Sequence, residues 1–277
     1  MNHLLQSLSN IKDEGVFLPE VTQLLELYPW EAGECNTING KTCLHICCER
    51  GFQVLALMLL SRYNVGVNAR THYGATALTL AVEYGHYEIV RLLLHEYKAD
   101  VKIKDSYGKS AIFYACEKGR LDICELFSSV GSNFDSGGGG GDSSSSSCSN
   151  IDAKADMFDL EPDCFGSTPV HSACYSNHEN VVKFLNKCNF PISVKNQAGK
   201  SPLYIAASKG CTSIVKFFLE LSSIEMRYER DTNGLLPIHI ACENGHIETG
   251  ENLMHTNYSL KLYCQHLNPH GMAFLIC

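Results

Sequence analysis

The chain has 277 residues, of which 45% are hydrophobic and 19% are charged, and its formal net charge is −8. This composition is typical of a globular protein long enough to bury a sizeable core. The negative charge and the lack of any basic run of five residues argue against nucleic-acid binding and against binding to anionic membranes.

The N-terminal sequence MNHLLQSLSNIKDEG lacks the charged and apolar regions of a signal peptide. The longest apolar run, Val54 to Leu60, is far shorter than a membrane span. The 14 cysteines are scattered along a long chain without an export signal, so we expect free thiols. We therefore expect a cytoplasmic protein, with the nucleus as the other reducing compartment.

Residues 1–35 carry two groups of apolar residues at helical spacing: Leu4, Leu5, Leu8 and Ile11, then Val21, Leu24, Leu25 and Tyr28. Terminal repeats of an array are usually atypical, so this segment is interpreted as an N-terminal helical cap derived from a degenerate repeat. Trp30, the only tryptophan of the chain, is expected to pack within that cap.

A sequence of twelve residues recurs along the rest of the chain. The copies are GKTCLHICCERG from Gly40, GATALTLAVEYG from Gly74, GKSAIFYACEKG from Gly108, GSTPVHSACYSN from Gly166, GKSPLYIAASKG from Gly199 and GLLPIHIACENG from Gly234. Their leading glycines are 34, 34, 58, 33 and 35 residues apart. A constant period near 34 residues predicts a stacked array of identical supersecondary units.

Each copy carries the signals of a short helix followed by a second, more apolar helix. The residues expected to cap the first helices are Thr42, Thr76, Ser110, Thr168 and Ser201. Proline follows the cap in three copies, at the first helical position, where a missing N–H group costs nothing. In the second copy, Ile89, Val90, Leu92, Leu93 and Leu94 give the second helix a wide apolar face that a neighbour must cover.

The period and the copies resemble the ankyrin repeat, whose signature is G-x-T-P-L-H-x-A-A-x-x-G. The resemblance covers residues 36–248 with one interruption. The fourth and sixth copies keep the central Pro-x-His of the signature, as Pro169 and His171 and as Pro237 and His239. The second, third and fifth copies replace the histidine with Thr79, Phe113 and Tyr204. This resemblance implies an all-α solenoid of stacked helix-turn-helix units with loop or β-hairpin tips.

Cys43, His45, Cys47 and Cys48 lie within six positions of the first copy, a density that zinc sites share. The other copies, however, hold alanine where Cys47 lies and valine, alanine or cysteine where Cys48 lies, and a ligand set would not be interchangeable with alanine. We therefore expect small buried thiols and no metal. The resemblance implies that His45, and likewise His171 and His239, organises the loops by hydrogen bonding.

The third and fourth copies are separated by 24 residues beyond one period. We assign repeats 1–3 to residues 36–131, a disordered Gly/Ser-rich insertion to residues 132–164 and repeats 4–6 to residues 165–248. The insertion contains SGGGGGDSSSSSCSN, and such tracts form flexible linkers. Its Asp152, Asp156 and Asp159 lack calcium-loop spacing and are interpreted as solvated charges.

Residues 249–277 form an irregular tail. Thr249, Gly250 and Asn252 replace the apolar residues that the second copy has at these positions, and a glycine inside a helix costs about 1 kcal/mol. We therefore expect the tail to pack poorly, as in an incomplete version of a longer array.

In an ankyrin-like stack, loop tips and the exposed ends of the first helices line a concave groove, where side chains are free of packing constraints. The predicted partner-binding residues are Lys41, Glu49, Arg50, His72, Tyr73, Glu83, Tyr84, Tyr107, Lys109, Glu117, Lys118 and Tyr175. Other groove positions are Ile38, Asn39, Ser106, Phe165, Gln197, Lys200 and Lys209. Tyrosine is frequent at interface hot spots, although the loop tyrosines could instead pack on the neighbouring repeat.

No catalytic motif is present: the sequence has no Gly-x-Ser-x-Gly, no Walker lysine and no His-Glu-x-x-His. We expect a non-enzymatic scaffold that binds another protein, with no cofactor and no small-molecule substrate. The alternative is a regulatory ankyrin fragment of a larger enzyme, channel or transferase. A thiol- or metal-sensing role is a third hypothesis, which rests on the cysteine content alone.

Overall fold

The computed structural model describes residues 3–10, 14–36, 38–131, 161–221 and 224–254. An N-terminal helix pair, His3–Asn10 and Glu14–Leu27, precedes a 3-10 helix at Pro29–Gly33. Helix pairs then follow for the repeats: Cys43–Arg50 with Gln53–Arg62, Ala77–Tyr84 with Tyr87–His95, Ala111–Glu117 with Leu121–Gly131, Pro169–Tyr175 with Glu179–Lys187, Pro202–Ser208 with Thr212–Leu221, and Pro237–Glu243 with Ile247–Met254. A second 3-10 helix spans Ile224–Tyr228. The predicted all-α repeat architecture is confirmed.

The first helices begin where their capping residues predict. Thr76 Oγ1 accepts a hydrogen bond from the amide of Thr79 at 3.2 Å, and Ser201 Oγ accepts one from Tyr204 at 3.3 Å. Ser110 is an exception, because its hydroxyl is buried and makes no hydrogen bond to the described residues. Phe113, three residues later, donates its amide to the carbonyl of Ser110 instead.

A residue in the left-handed backbone conformation lies between the two helices of a repeat. Gly51 has φ +82°, and a Cβ atom there would lie 2.6 Å from Cε1 of His86 in the next repeat. His86 uses this space to place its Nε2 atom 3.1 Å from the carbonyl oxygen of Glu49. The glycine therefore allows both the turn and a contact between repeats.

The chain divides into two compact units, residues 1–115 with 120–159, and residues 116–119 with 160–277. In the first unit, the helix Cys43–Arg50 packs against Ala77–Tyr84, and Gln53–Arg62 packs against Tyr87–His95. Fully buried aliphatic side chains fill the space between the layers: Leu44, Leu55, Leu59, Leu78, Ile89 and Leu93. This is the stacking that the apolar face of the second helices requires.

The second unit repeats this arrangement. Its helix Pro202–Ser208 contacts both Pro169–Tyr175 and Pro237–Glu243, while Thr212–Leu221 contacts Ile247–Met254. Buried residues include Val170, Leu185, Leu203, Ile214 and Phe218.

The N-terminal helix pair buries Leu4, Leu5 and Leu8 from its first helix, and Val21 and Leu25 from its second. Trp30 does not pack within this pair, contrary to expectation. Its side chain is 64% exposed, because the inward position of the 3-10 helix belongs to Glu31, which accepts a hydrogen bond from the amide of Leu4 at 3.0 Å.

The expectation of poor packing beyond residue 248 is wrong for residues 249–254. Thr249 is 1% exposed, and its hydroxyl lies 2.9 Å from that of Thr212. Gly250 is also buried and faces the sulfur of Cys242, which a Cβ atom at Gly250 would approach to 3.5 Å. The polar substitution is accommodated by a polar partner on the neighbouring helix, while residues 255–277 lie outside the described residues.

The three aspartates of the insertion, Asp152, Asp156 and Asp159, also lie outside the described part of the chain. Residues 161–164 are described, and Asp163 belongs to the loop of the fourth repeat. No helix in the described ranges is long and apolar enough to cross a membrane.

Candidate protein-binding surface

An aspartate or asparagine three residues before the leading glycine organises each of four loops. In the third repeat, Asp105 Oδ1 accepts hydrogen bonds from the amides of Tyr107 at 2.8 Å and Lys109 at 2.9 Å. The same pair of bonds is made by Asp163, Asn196 and Asp231. These residues are not among those predicted from the sequence, although their fixed distance from the glycine is a usable signal.

The loop tips of neighbouring repeats are joined by backbone hydrogen bonds. In the first unit, the amide of His72 donates to the carbonyl of Asn39 at 3.0 Å, and the amide of Ser106 donates to the carbonyl of Tyr73 at 2.8 Å. In the second unit, Gln197 donates to Phe165 in the same way. Within each unit, the side chains at the tips are therefore held on a row of fixed backbone.

Aromatic side chains project from this row into solvent. Tyr73 is 68% exposed and Tyr107 is 56% exposed, on adjacent tips of the first unit. Phe165 holds the corresponding position in the second unit and is also exposed. His72 is exposed as well, and its Nδ1 atom lies 3.3 Å from the carbonyl oxygen of Ile38. The alternative that these tyrosines are packing residues does not fit their exposure.

Lys41, Glu49 and Tyr84 form a polar cluster at the ends of the first helices. Lys41 Nζ lies 2.6 Å from Glu49 Oε2, and the Tyr84 hydroxyl donates to Glu49 Oε1 at 3.3 Å. Partial burial, followed by the charges of Glu49 and Glu83, raises the pKa of Tyr84. This cluster links the loop of repeat 1 to the helix ends of repeats 1 and 2, so Tyr84 is positioned by Glu49.

Three further predicted charges, Arg50, Glu83 and Lys109, belong to the same unit. Arg50 is exposed and Glu83 is half-buried, at the ends of the first two repeat helices. Lys109 Nζ lies 5.7 Å from the ring centroid of Tyr114, whose hydroxyl donates to Asp105. The backbone of Lys109 is therefore fixed by Asp105, and its ammonium group lies over a ring that Asp105 also holds.

In the second unit, a cation–π pair stands at the corresponding helix ends. Lys209 Nζ lies 3.9 Å from the ring centroid of Tyr175, which is 59% exposed. Glu117 is half-buried and Lys118 is exposed, in the short segment 116–119 of this unit. Partner binding by these residues stays a prediction.

The Cys/His cluster of the first repeat lies inside the fold. Cys43, Cys47 and Cys48 are fully buried, and burial raises the pKa of Cys43 to about 12. His45 Nδ1 accepts the amide hydrogen of Thr42 at 3.1 Å, which leaves Nε2 to donate to the carbonyl of Ala75 at 3.2 Å. Burial lowers the pKa of His45 to about 4, so the imidazole is neutral.

His171 repeats this arrangement between Thr168 and the carbonyl of Lys200, and the amide of Leu236 donates to His239 Nδ1 at 3.2 Å. His45 and His171 thus join a helix start to the loop of the next repeat, as the resemblance implies, and His239 binds the start of its own helix. Within the described residues, no three or more His, Cys, Asp or Glu side chains are grouped so that they could hold a metal ion.

Known proteins share this repeat. A stretch of 88 residues is 35% identical to the human protein named transient receptor potential cation channel subfamily A member 1, covering 31% of this chain and 8% of that protein. A stretch of 115 residues is 31% identical to glycerophosphocholine phosphodiesterase GDE1 of Candida albicans, covering 41% of this chain and 10% of that protein. The chain therefore spans a tenth or less of the length of these two relatives.

A crystal structure of an ankyrin repeat domain from Acinetobacter baumannii superposes with a TM-score of 0.59 at 22% identity, covering 76% of this chain and 95% of that one. This likeness shows the fold. The family model described as Ankyrin repeats (3 copies) matches residues 14–105, 142–227 and 170–264. With most of its length matched and its loops and helix pairs built in the same repeating pattern, the chain belongs to the ankyrin-repeat family.

Proposed function

We propose that this chain is a non-enzymatic scaffold that binds a partner protein through the loop tips and first-helix ends of its repeats. The observation that carries the proposal is the exposure of Tyr73 and Tyr107 on adjacent, hydrogen-bonded tips. A tyrosine on a fixed loop can bury a large area on binding with little loss of conformational entropy. Ankyrin repeats generally mediate binding between proteins, which supports this role.

The charges around the tyrosines define what such a partner must offer. Glu49 forms an ion pair with Lys41 and accepts a hydrogen bond from Tyr84; Arg50 is exposed and Glu83 is half-buried. Both signs of charge are thus present in the unit that carries these tyrosines. A protein surface with mixed charges and one or more apolar pockets fits this arrangement better than a polyanion.

A second candidate function is that of a regulatory ankyrin part of a larger enzyme or channel. It is favoured by the relatives, one named as a cation channel and the other as a phosphodiesterase, in each of which the matching repeats form a small part of the protein. In this case the loop tips would bind another part of the same protein or its regulator, and the chemistry would lie outside these repeats.

We also propose a cytoplasmic location. It is supported by the cysteines of the described residues, which form no disulfide and several of which are buried. Cysteines stay reduced in the cytoplasm and form disulfides mainly in oxidising compartments.

The test is a paired affinity purification with quantitative mass spectrometry, using the full chain and the triple variant Tyr73→Ala, Tyr84→Ala, Tyr107→Ala as baits. Tyr228→Ala is the matched control, because Tyr228 has a similar exposure of 47% but lies in a 3-10 helix of the second unit. Circular dichroism first establishes equal helix content for all baits. We expect a direct partner that the wild type and Tyr228→Ala retain and the triple variant loses.

Retention of the same partner by the triple variant would contradict the proposed surface. Capture of nothing by a folded wild-type chain would contradict the scaffold function and favour the second candidate.

A further inference from the structure

The end of the N-terminal helix pair presents an apolar surface to solvent. Leu27 is the last residue of the helix Glu14–Leu27, and Tyr28 and Trp30 follow directly. Leu27 is 58% exposed and Trp30 is 64% exposed, and the rings of Tyr28 and Trp30 pack edge to face with their centroids 5.7 Å apart. Three large apolar side chains within four residues thus face water together.

The backbone that carries these side chains is fixed. The amide of Tyr28 donates to the carbonyl of Leu24 at 2.8 Å, and the amide of Glu31 donates to the carbonyl of Tyr28 at 3.0 Å. Glu31 is buried, and its carboxylate accepts the amide hydrogen of Leu4. Because Glu31 holds the inner side of the 3-10 helix Pro29–Gly33, Trp30 is held on the outer side. The indole is therefore preorganised for contact with a partner.

The segment that forms this surface is acidic. Between Glu14 and Gly40 the sequence contains five glutamates and no lysine or arginine. Glu20, Glu26 and Glu34 are exposed, and Glu20 lies seven residues before Leu27, on the same face of the helix. An exposed aromatic pair within an acidic field attracts cations and repels anionic lipids and nucleic acids.

These observations define the partner by its chemistry. Lysine and arginine complement the glutamates, and a cation over the indole face adds a favourable interaction that tryptophan makes better than other rings. Apolar side chains on the same segment would cover Leu27 and Tyr28. We propose that this aromatic-acidic surface, formed by Glu20, Glu26, Leu27, Tyr28, Trp30 and Glu34, binds a basic amphipathic segment of a protein partner.

The surface shares no residue with the loop tips and first-helix ends proposed above. The inference therefore goes beyond the proposed function, and each can fail without the other.

Trp30 is the only tryptophan of the chain, so its fluorescence reports on this surface alone. The probe is a synthetic amphipathic peptide of lysine, arginine and leucine, titrated into the full chain at low ionic strength. We expect a blue shift of the Trp30 emission on binding, because the indole leaves water. Two matched peptides are controls: one with glutamate in place of the basic residues, and one with alanine in place of leucine.

Affinities of variants are measured by the anisotropy of the labelled peptide, which does not need the tryptophan. We expect Trp30→Ala to weaken binding of the basic peptide about tenfold or more, as a central aromatic contact does. Glu20→Lys with Glu26→Lys should weaken it by a similar factor, and added salt should weaken wild-type binding. Tyr73→Ala, at a loop tip, should leave the affinity unchanged.

Several results would overturn the proposal. Equal affinity for the basic and acidic peptides, or unchanged affinity in Trp30→Ala, would show that the surface does not recognise this chemistry. A Trp30 emission typical of a buried indole in the free chain would contradict the exposure on which it rests. Sedimentation velocity showing a dimer that Trp30→Ala abolishes would assign the surface to a second copy of the chain.

Discussion

The imidazole of His45 donates from Nε2 to the carbonyl oxygen of Ala75, 3.2 Å away in the loop of the next repeat. Its Nδ1 atom simultaneously accepts the amide hydrogen of Thr42 at 3.1 Å. A protonated imidazole has no acceptor, so protonation would break the bond to Thr42. The hydrogen bond that holds the imidazole at the start of the helix Cys43–Arg50 therefore depends on a neutral histidine.

This contact predicts that the protein loses stability as the pH falls. Burial lowers the pKa of His45 to about 4, whereas an unfolded histidine has a pKa near 6.5. The contribution of His45 to the free energy of unfolding should be constant above about pH 6.5, fall between pH 6.5 and 4, and level off below, with a total loss of about 3 kcal/mol. Denaturant unfolding at several pH values measures it.

The chain offers its own control for this prediction. Repeat 2 has Thr79 at the position of His45, where its hydroxyl lies 3.0 Å from that of Thr76. The variant His45→Thr should therefore fold and show a smaller loss of stability between pH 6.5 and 4. Some dependence should persist, because burial also lowers the pKa of His171. An identical pH profile for wild type and variant would contradict the prediction.

The pair Thr212 and Thr249 predicts a non-additive effect of substitution. Thr212→Val would leave the buried hydroxyl of Thr249 without its partner at 2.9 Å, which should destabilise the last helix by about 1 to 2 kcal/mol. Thr249→Val should cost less, because the Thr212 hydroxyl also lies 3.4 Å from the carbonyl of Gly210. The double variant should recover much of the loss. Amide hydrogen exchange of the helix Ile247–Met254 measures the effect, and simple additivity would contradict it.

Two serines at equivalent positions predict opposite outcomes. Ser201→Ala removes the hydroxyl that accepts the Tyr204 amide and should cost about 1 kcal/mol. Ser110→Ala removes a buried hydroxyl that has no partner among the described residues, so it should be neutral or stabilising. Hydrogen exchange of the helices Pro202–Ser208 and Ala111–Glu117 in the two variants tests this difference. Equal destabilisation by both substitutions would show that Ser110 also caps its helix.

The successes and errors of sequence-based prediction have separate physical causes. Helix pairs and their order follow from a period of 34 residues and from capping residues that act locally, so they were predictable. Thr249 was interpreted wrongly because a pattern of apolar residues cannot show that Thr212 lies opposite it. Trp30 is expected to be buried because tryptophan is large and apolar. The hydrogen bond from the amide of Leu4 instead holds Glu31 on the inner side of the 3-10 helix, and Trp30 lies on the outer side.

The candidate surface shows the same division. The loop-tip tyrosines could be located from their register relative to the glycines, and their exposure agrees with it. The bond between Tyr84 and Glu49 joins residues 35 apart, and the stacking of Lys209 on Tyr175 likewise joins two repeats. Such contacts depend on the distance between repeats and on side-chain rotamers, which a single sequence does not specify.

Cys48 predicts how the buried thiols respond to substitution. It is fully buried, and burial raises its pKa well above the ordinary value of a thiol, so it remains protonated at neutral pH. Cys48→Ala should cost about 1 kcal/mol, because alanine is tolerated at the equivalent place in the fifth repeat, as Ala207. Cys48→Ser should cost about 2 kcal/mol, because the serine hydroxyl would be buried at an apolar position without a hydrogen-bond partner. Denaturant unfolding compares the two variants, and the zinc content of each purified protein is measured alongside. A zinc ligand would behave differently, since alanine and serine would both release metal and destabilise equally.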